Sequence, residues 1–374
     1  MKKRKWLFKK EAELLGFTPK ENESTKNKKR NQARYYITSD QWETVQEYRN
    51  GGIIDAHKEH GVDHTQSKFL WLKNKNSSIP VQNPFYKKPE EKQLSELKEE
   101  LIKDLQNYTP KFPKLKRELS KDAKLLVIDP ADVHIGKLAD AFETGKEYNS
   151  QIAVQRVKEG VQGILNESSG HKIDKILFVG GNDILHTDTP KRCTTSGTPQ
   201  DTDGMWYRNF LMAKDIYIDI LEKLIAVADV HFVFNPSNHD YTNGFFLANV
   251  IETYFKNCKN ITFDCSIAHR KYFRYHNNII GTTHGDGAKQ NDLPLLMATE
   301  SKHYSECTKR YIYIHHIHHK VNKDYPGVTI ESLRSPSEAD SWHHRNGCQH
   351  SPVAIEGFIH HKQHGQISRL THFF

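Results

Sequence analysis

Hydrophobic and polar positions along this chain switch between two periods. Short apolar runs at residues 124–129, 175–180, 230–235, 279–283, 311–314 and 328–333 have the length and composition of buried strands. The stretches 151–166, 205–228, 245–256 and 293–301 instead space their apolar residues three and four apart, as helices do. Strand and helix alternate beyond residue 120, which predicts an α/β layered core. Loops that follow neighbouring strands of such a core converge on one sheet edge. No apolar run approaches the length needed to cross a bilayer, so no membrane association is expected.

Upstream of residue 120 the pattern is weaker. Residues 11–16 form a short apolar helix candidate within a Lys/Arg/Asn-rich segment, and 21–30 reads as a disordered or binding arm. Residues 35–38 are strand-like, Ser39-Asp40 suits the cap of a helix over 41–49, and Gly51-Gly52 ends it. A charged amphipathic helix is predicted over 89–106, and Pro110 and Pro113 break the pattern ahead of the alternating region. These features divide the chain into a small basic region, 1–120, and a larger unit, 121–374. Residues 1–10 are charged with no apolar run behind them, which is not the form of a secretion signal.

Charge sharpens this division. Residues 1–120 hold 26 of the 54 Lys/Arg and 17 of the 46 Asp/Glu, leaving 28 against 29 for the remainder. A basic appendage on a near-neutral body fits a polyanionic partner, nucleic acid foremost; a solubilising tail is the bland alternative. Aromatics interleaved with lysine (Phe69, Trp71, Phe85, Tyr86) add stacking capacity to the first reading. The five cysteines include no C-x-x-C pair, which argues for reduced thiols and against a disulfide framework or a Cys-ligated zinc. A cytoplasmic location is the matching expectation.

The candidate chemistry lies in five fragments: Asp132-Val133-His134, Asn182-Asp183, Asn238-His239-Asp240, His284-Gly285 and His316-Ile317-His318. Each offers nitrogen or hard oxygen to a divalent metal. Asp132 and His134 lie two apart in a stretch expected to be extended, so their side chains would share a face. Asp183 follows the second strand, where a carboxylate can bridge two ions roughly 3.5–4 Å apart. Asn238 offers an amide oxygen after the third strand, and His239 beside it suits an acid or charge-stabilising role rather than ligation. His284 follows the fourth strand; His316 and His318 follow the fifth and again would share a face. Each fragment alone has an ordinary explanation, such as a solvated pair or a helix cap. Five in this order, each after a strand, do not.

This series resembles the calcineurin-like metallophosphoesterase superfamily, whose pattern runs D-x-H, G-D-x-x-(D/H), G-N-H-(D/E), H and G-H-x-H. The resemblance covers roughly residues 122–335 and implies a layered β-sandwich flanked by helices, with a dinuclear metal centre. It would place Asp132, His134, Asp183 and His318 on one divalent ion, and Asp183, Asn238, His284 and His316 on the other. His239 would be the catalytic histidine, with Asp240 orienting it. Mn is the first expectation for the two ions, with Fe, Zn or Ni as alternatives, and oxygen and nitrogen ligation without sulfur fits that range. Asn182, Ser237 and His315 stand where the pattern has Gly. Asn tolerates a left-handed backbone; Ser and His do so less readily.

Residues 181–206 and 335–344 further resemble phage-encoded, DNA repair exonuclease-like members, for which the location would be the host cytoplasm. There His186, Thr194, Thr195 and Gly197 could line a substrate site, since hydroxyls and backbone N–H groups suit phosphate oxygens. Asp340 and Trp342 read as structural. The expectation is a metal-dependent phosphoester hydrolase, foremost a phosphodiesterase or nuclease acting on DNA. A phosphomonoesterase is the alternative, and a nucleic-acid-binding protein using the fold as a scaffold is a third reading.

Overall fold

A computed structural model of the chain describes residues 5–8, 34–37, 68–74, 77–82, 86, 110, 112–117 and 120–374. The chain divides into two compact units, Met1–Leu101 and Ile102–Phe374. In the first, β1 (Lys5–Phe8) pairs antiparallel with β2 (Arg34–Ile37), and β3 (Phe69–Asn74) with β4 (Ser77–Gln82). β2 falls on the strand-like stretch at 35–38. Phe69 is exposed, and the Lys68 ammonium lies over its ring. The helices expected over 11–16, 41–49 and 89–106, the arm at 21–30 and Phe85 lie outside the described residues.

The second unit is built on two mixed sheets. In one, β5 (Lys124–Asp129), β6 (Ile173–Gly181), β7 (Asp229–Asn235) and β8 (Ile261–Asp264) run parallel. Beside β5 lie the antiparallel β14 (Ala354–His361) and β15 (Gly365–Phe373), in the order β15-β14-β5-β6-β7-β8. The other sheet has the order β12-β13-β11-β10-β9. Its strands are β9 (Lys271–Tyr275), β10 (Asn278–Thr283), β11 (Lys309–Ile314), β12 (Val321–Tyr325) and β13 (Val328–Ser332), with β10, β11 and β13 parallel.

Alternation along the strands assigns residues to layers. Leu125 and Val127 face the opposite sheet and pack with Leu177, Val179, Val233, Ile280, Tyr313 and Phe358. Leu126 and Ile128 face the other way, into a core shared with the helices Ser150–Glu167, Trp206–Val227 and Tyr241–Tyr254. The outer face of the second sheet is covered by the helix Leu293–Glu300 through Leu293 and Met297. The result is helix, sheet, sheet, helix: the layered α/β sandwich expected from the alternation. Across the inter-sheet layer, Tyr313 stacks on Phe358 with ring centroids 4.1 Å apart. Ahead of β5, Phe112 stacks on Phe255, and the Asn260 side chain holds both the N–H and the carbonyl of Leu115.

All six expected strands are present, within two residues at either end. Five others in this second unit were hidden. β8, β9, β12 and β15 are edge strands, where charged and polar residues replace the apolar run. β14 is central, but Glu356, Gly357 and His360 interrupt its apolar signal. Glu356 is fully buried, and Arg334 and Arg369 satisfy it. The helix Tyr241–Tyr254 starts four residues before the expected 245, because the Asp188 carboxylate accepts the N–H groups of Thr242 and Asn243 at its first turn.

Two histidines in the layers are held neutral. Burial pushes the His360 pKa down to about 3, and its Nε2 lies 2.9 Å from the Tyr313 hydroxyl. Burial, assisted by the Lys175 charge, pushes His231 down to about 4. Their folded pKa values lie below the ordinary histidine value, so the stability they support is intact above about pH 6.5 and lost as pH falls below it. For a fully buried histidine the loss is about 1.4 kcal/mol per pH unit. The urea midpoint should therefore fall steeply between pH 6.5 and 4, and less steeply in His360→Gln. Equal slopes in the two proteins would contradict this.

Candidate metal-binding site

The parallel strands β5, β6 and β7 of one sheet and β10 and β11 of the other end at a common edge, and the five fragments follow them. The first two loops are zipped together by their backbones. The N–H of Asp132 donates to Asn182 O (2.9 Å), that of His134 to Asp183 O (2.9 Å), and that of Ile135 to Ile184 O (2.8 Å). Gly181 brings the second loop against the end of β7: its φ is +79°, and a Cβ there would collide with the Asn235 carbonyl oxygen.

These loops are not extended, which corrects the expectation for Asp132/His134 and for His316/His318. Asp132, His134, Asn182, Asp183, His316 and His318 all have left-handed φ values between +50° and +72°. Non-glycine residues pay for that conformation and hold it only where the surroundings over-determine it, as functional sites do. The candidate ligands meet through turns, not through a two-residue strand repeat.

The side chains form three groups, each with one ligand atom per residue lying within 4.8 Å of the others: Asp132, His134 and His318; Asp183, His284 and His316; and His134, His186 and His239. In the first group the Nε2 atoms of His134 and His318 face each other at 3.2 Å, and His318 Nε2 lies 3.6 Å from an Asp132 oxygen. In the second, His284 Nε2 lies 3.2 Å from Asp183 Oδ2 and 2.9 Å from Asn238 Oδ1. Asp132, His134, Asp183 and His284 are buried; His316 is exposed.

Electrostatics separate these groups. Burial pushes His134, His186 and His318 well below the ordinary histidine value, leaving the neutral form that ligates a cation. Burial also raises the Asp132 carboxyl, and the Asp183 charge adds to this. For Asp183 burial alone would act upward, but the charges of His284 and His239 hold it below the usual carboxylate range. His284 is the counterpart: burial acts downward, yet Asp183 and Asp132 push it up to about 9. A cluster this short of compensating charge suits divalent cations, and these Asp and His groups could hold them. Among the described residues, His284 Nδ1 and Asn182 Oδ1 are buried without a hydrogen-bond partner.

The three residues standing in place of glycine have separate explanations. Asn182 does take the left-handed conformation, at φ +51°. Ser237 and His315 do not. The Ser237 hydroxyl donates to Asp240 Oδ1 (2.6 Å) and accepts the Asp183 N–H (2.7 Å). His315 Nδ1 donates to the Thr283 carbonyl (3.1 Å), and Nε2 lies 3.0 Å from both oxygens of Asp129. Both His315 and Asp129 are fully buried.

Asp240 requires a correction. Its carboxylate bonds to Ser237 and to the Leu185 N–H (2.9 Å), not to His239. His239 is oriented instead by the His186 carbonyl, 2.9 Å from its Nδ1, while its backbone N–H donates to Asp183 Oδ1 (2.9 Å). The proposed substrate loop is also bonded internally. Thr194 Oγ1 accepts the Thr198 N–H, Thr195 Oγ1 donates to Asp188, and Gly197 takes a φ of +91° with its N–H on Thr194 O. The two hydroxyls expected to meet phosphate thus act as turn and cap groups. His186 is buried against His134, with their Nδ1 atoms 3.2 Å apart. Sequence reasoning missed Lys137, which is buried beside the cluster and paired with Asp340 at 3.2 Å. No local signal marks it.

No protein-family model matches the chain, and no curated protein does. Among solved structures, an archaeal phosphodiesterase matches at 7% identity, over 67% of this chain and 99% of its own, with a TM-score of 0.31. Vps29 from Entamoeba histolytica complexed with zinc matches at 11%, over 66% and 98%, with a TM-score of 0.29. An uncharacterised Streptococcus pneumoniae protein, a predicted phosphoesterase, matches at 13%, over 67% and 98%, with a TM-score of 0.28. Likenesses this distant carry no weight for the activity of this chain. Among the described residues no helix is long and apolar enough to cross a membrane.

Restoring the pattern's glycines should harm the protein. His315→Gly leaves the Asp129 carboxylate buried without its partner, and is expected to cost about 3–5 kcal/mol in urea denaturation. Ser237→Gly removes one of the two side-chain hydrogen bonds of Asp240 and leaves the Asp183 N–H without its acceptor, at about 1–3 kcal/mol. A stability gain in either variant would contradict the roles assigned to these hydrogen bonds.

Proposed function

We propose that this chain is a calcineurin-like, metal-dependent phosphoester hydrolase working through two divalent ions, with DNA phosphodiesters as its foremost substrate. The observation that carries the reading is the convergence of the Asp132/His134/His318 and Asp183/His284/His316 groups at one edge of both sheets. The donor set fits such ions: neutral imidazoles face one another across 3.2 Å with buried carboxylates beside them. Asp132, His134 and His318 would hold one ion, and His284, His316 and Asn238 the other, with Asp183 shared. Manganese is the metal to try first. When bound, such ions supply charge neutralisation for a phosphate and make a water acidic enough to react near neutral pH.

The remaining chemistry belongs to the chain. His239 is fixed at two points, by its N–H on Asp183 and its Nδ1 on the His186 carbonyl. The Nδ1–H donates to that carbonyl, which leaves Nε2 as the nitrogen free to exchange a proton with a leaving oxygen. Its ring sits edge-on to His134, with centroids 4.7 Å apart, so a phosphate held at the cluster lies within its reach. Asp240 acts at one remove. It ties Ser237 to Leu185 and so keeps the loops carrying Asp183 and Asn238 together. The preference for nucleic acid rests on the basic residues upstream of 120 and on the exposed Phe69 among them.

Hydrolysis of bis(p-nitrophenyl) phosphate should depend on Mn²⁺, cease with chelator, and be abolished in Asp183→Ala and His318→Ala. His239→Ala should lower kcat by about 10²–10⁴-fold. Full activity in His239→Ala on every phosphoester tried would refute its role, and faster turnover of monoesters than diesters would refute the diester preference. DNA binding should weaken steeply with salt and on removal of residues 1–120. Salt-insensitive binding would remove nucleic acid from the proposal.

A further inference from the structure

The hydrolase reading leaves unused a buried cation that lies beside the cluster. Lys137 is 1% exposed, and its ammonium pairs with Asp340 Oδ2 at 3.2 Å. Taking an ammonium out of water is costly and is tolerated where a carboxylate compensates it. The other oxygen of Asp340 faces His343 Nδ1 at 2.6 Å and also accepts the His343 backbone N–H. Capping the short helix Ser341–Asn346 accounts for that backbone bond. It does not account for the buried lysine or for the ring contact. A carboxylate on one imidazole nitrogen fixes the ring and leaves the other nitrogen for use.

The position of that ring is informative. His343 lies parallel to His318, with centroids 5.3 Å apart and planes 23° apart. His318 faces His134 through Nε2, and His134 meets His239 edge-on. His239, His134, His318 and His343 thus form a run of ring contacts with His239 and His343 at its ends, and His186 packs against both His239 and His134. The two inner rings belong to the cluster; the two end rings are partly open. The His343 side chain is 20% exposed, and Trp342, itself exposed, stands edge-on against it. Among the described residues the Nε2 of His343 has no partner.

We propose that His343, held by Asp340 and the buried Lys137, is a second substrate-side imidazole that contacts a non-bridging phosphoryl oxygen at the His318 end of the cluster. This rests on the hydrolase reading for its substrate class, a phosphoester, but the contact is to phosphate and does not need turnover to be seen. Asp340 and Lys137 are positioning residues that act through His343. No bond to the protein forms or breaks.

The test uses the full chain loaded with Mn²⁺, with inorganic phosphate as the probe in calorimetry, alongside metal analysis and steady-state kinetics on bis(p-nitrophenyl) phosphate. His343→Gln and Asp340→Asn should keep the wild-type manganese content. They should weaken phosphate binding about tenfold, and raise KM by a similar factor with kcat within about threefold, the signature of lost ground-state contact. His343 is half-buried on a short surface helix, so His343→Gln should fold even if Asp340→Asn does not. Unchanged phosphate affinity in His343→Gln would overturn the proposal, as would loss of manganese, which would mean that the ring merely supports His318. Absence of phosphate binding by the wild type would also overturn it. If the wild type binds manganese and phosphate but hydrolyses no phosphoester, the hydrolase reading fails, while the phosphate affinities still decide the role of His343.

Discussion

The buried pair of His315 and Asp129 is the contact on which the site depends. Asp129 ends β5 in one sheet, and His315 follows β11 in the other, so their 3.0 Å contact pins the two sheets together at the edge where the fragments lie. A second pin sits nearby, where the Thr282 hydroxyl donates to Asn235 Oδ1 across the same layer at 3.0 Å. The His316 N–H then donates to the Asp132 carboxylate, so a backbone group from one sheet holds a side chain from the other. Buried ion pairs contribute little net stability compared with well-packed apolar residues. Their value here is geometric: the layer of Leu125, Val127, Tyr313 and Phe358 supplies the attraction between the sheets, and the polar pins set their register at the functional end.

That register makes strained loops tolerable. Six non-glycine residues with left-handed backbones cost roughly 1–2 kcal/mol each. They persist because each loop is bonded to a neighbour: 132–135 to 182–184 through three backbone hydrogen bonds, and Asp183 to Ser237 through a side chain. Strain, burial and titratable groups coincide at Asp132, His134 and Asp183. A chain selected for stability alone has no reason to gather them there, and cations among the side chains supply one.

How much of this was legible in the sequence follows from the physics of each part. The central parallel strands announced themselves because both their faces are buried, giving unbroken apolar runs. The edge strands, exposed on at least one side, carried no such run, and β14 hid its burial behind Glu356 and His360, whose partners are distant in sequence. The fragments were legible because the order of side-chain types after strands is a local property. Their conformation was not: nothing in D-x-H says that both residues are left-handed. The resemblance assigned Asp240 to orienting His239, whereas the side chain turns toward Ser237 and Leu185 through tertiary contacts that the motif does not encode. Lys137 reaches Asp340, and through it His343, only in the tertiary structure, and no spacing rule could have joined them.

Everything proposed for the chemistry converges on Asp183, which touches His284 through one carboxylate oxygen and the His239 backbone through the other. If that carboxylate is shared between two ions, they must sense each other. The decisive measurement is electron paramagnetic resonance of the full chain titrated with Mn²⁺. Binding should saturate at two ions per chain and give an exchange-coupled spectrum, which Asp183→Asn converts to that of isolated ions or abolishes. Saturation at a single ion, or two ions with uncoupled spectra in the wild type, would contradict a shared-carboxylate centre.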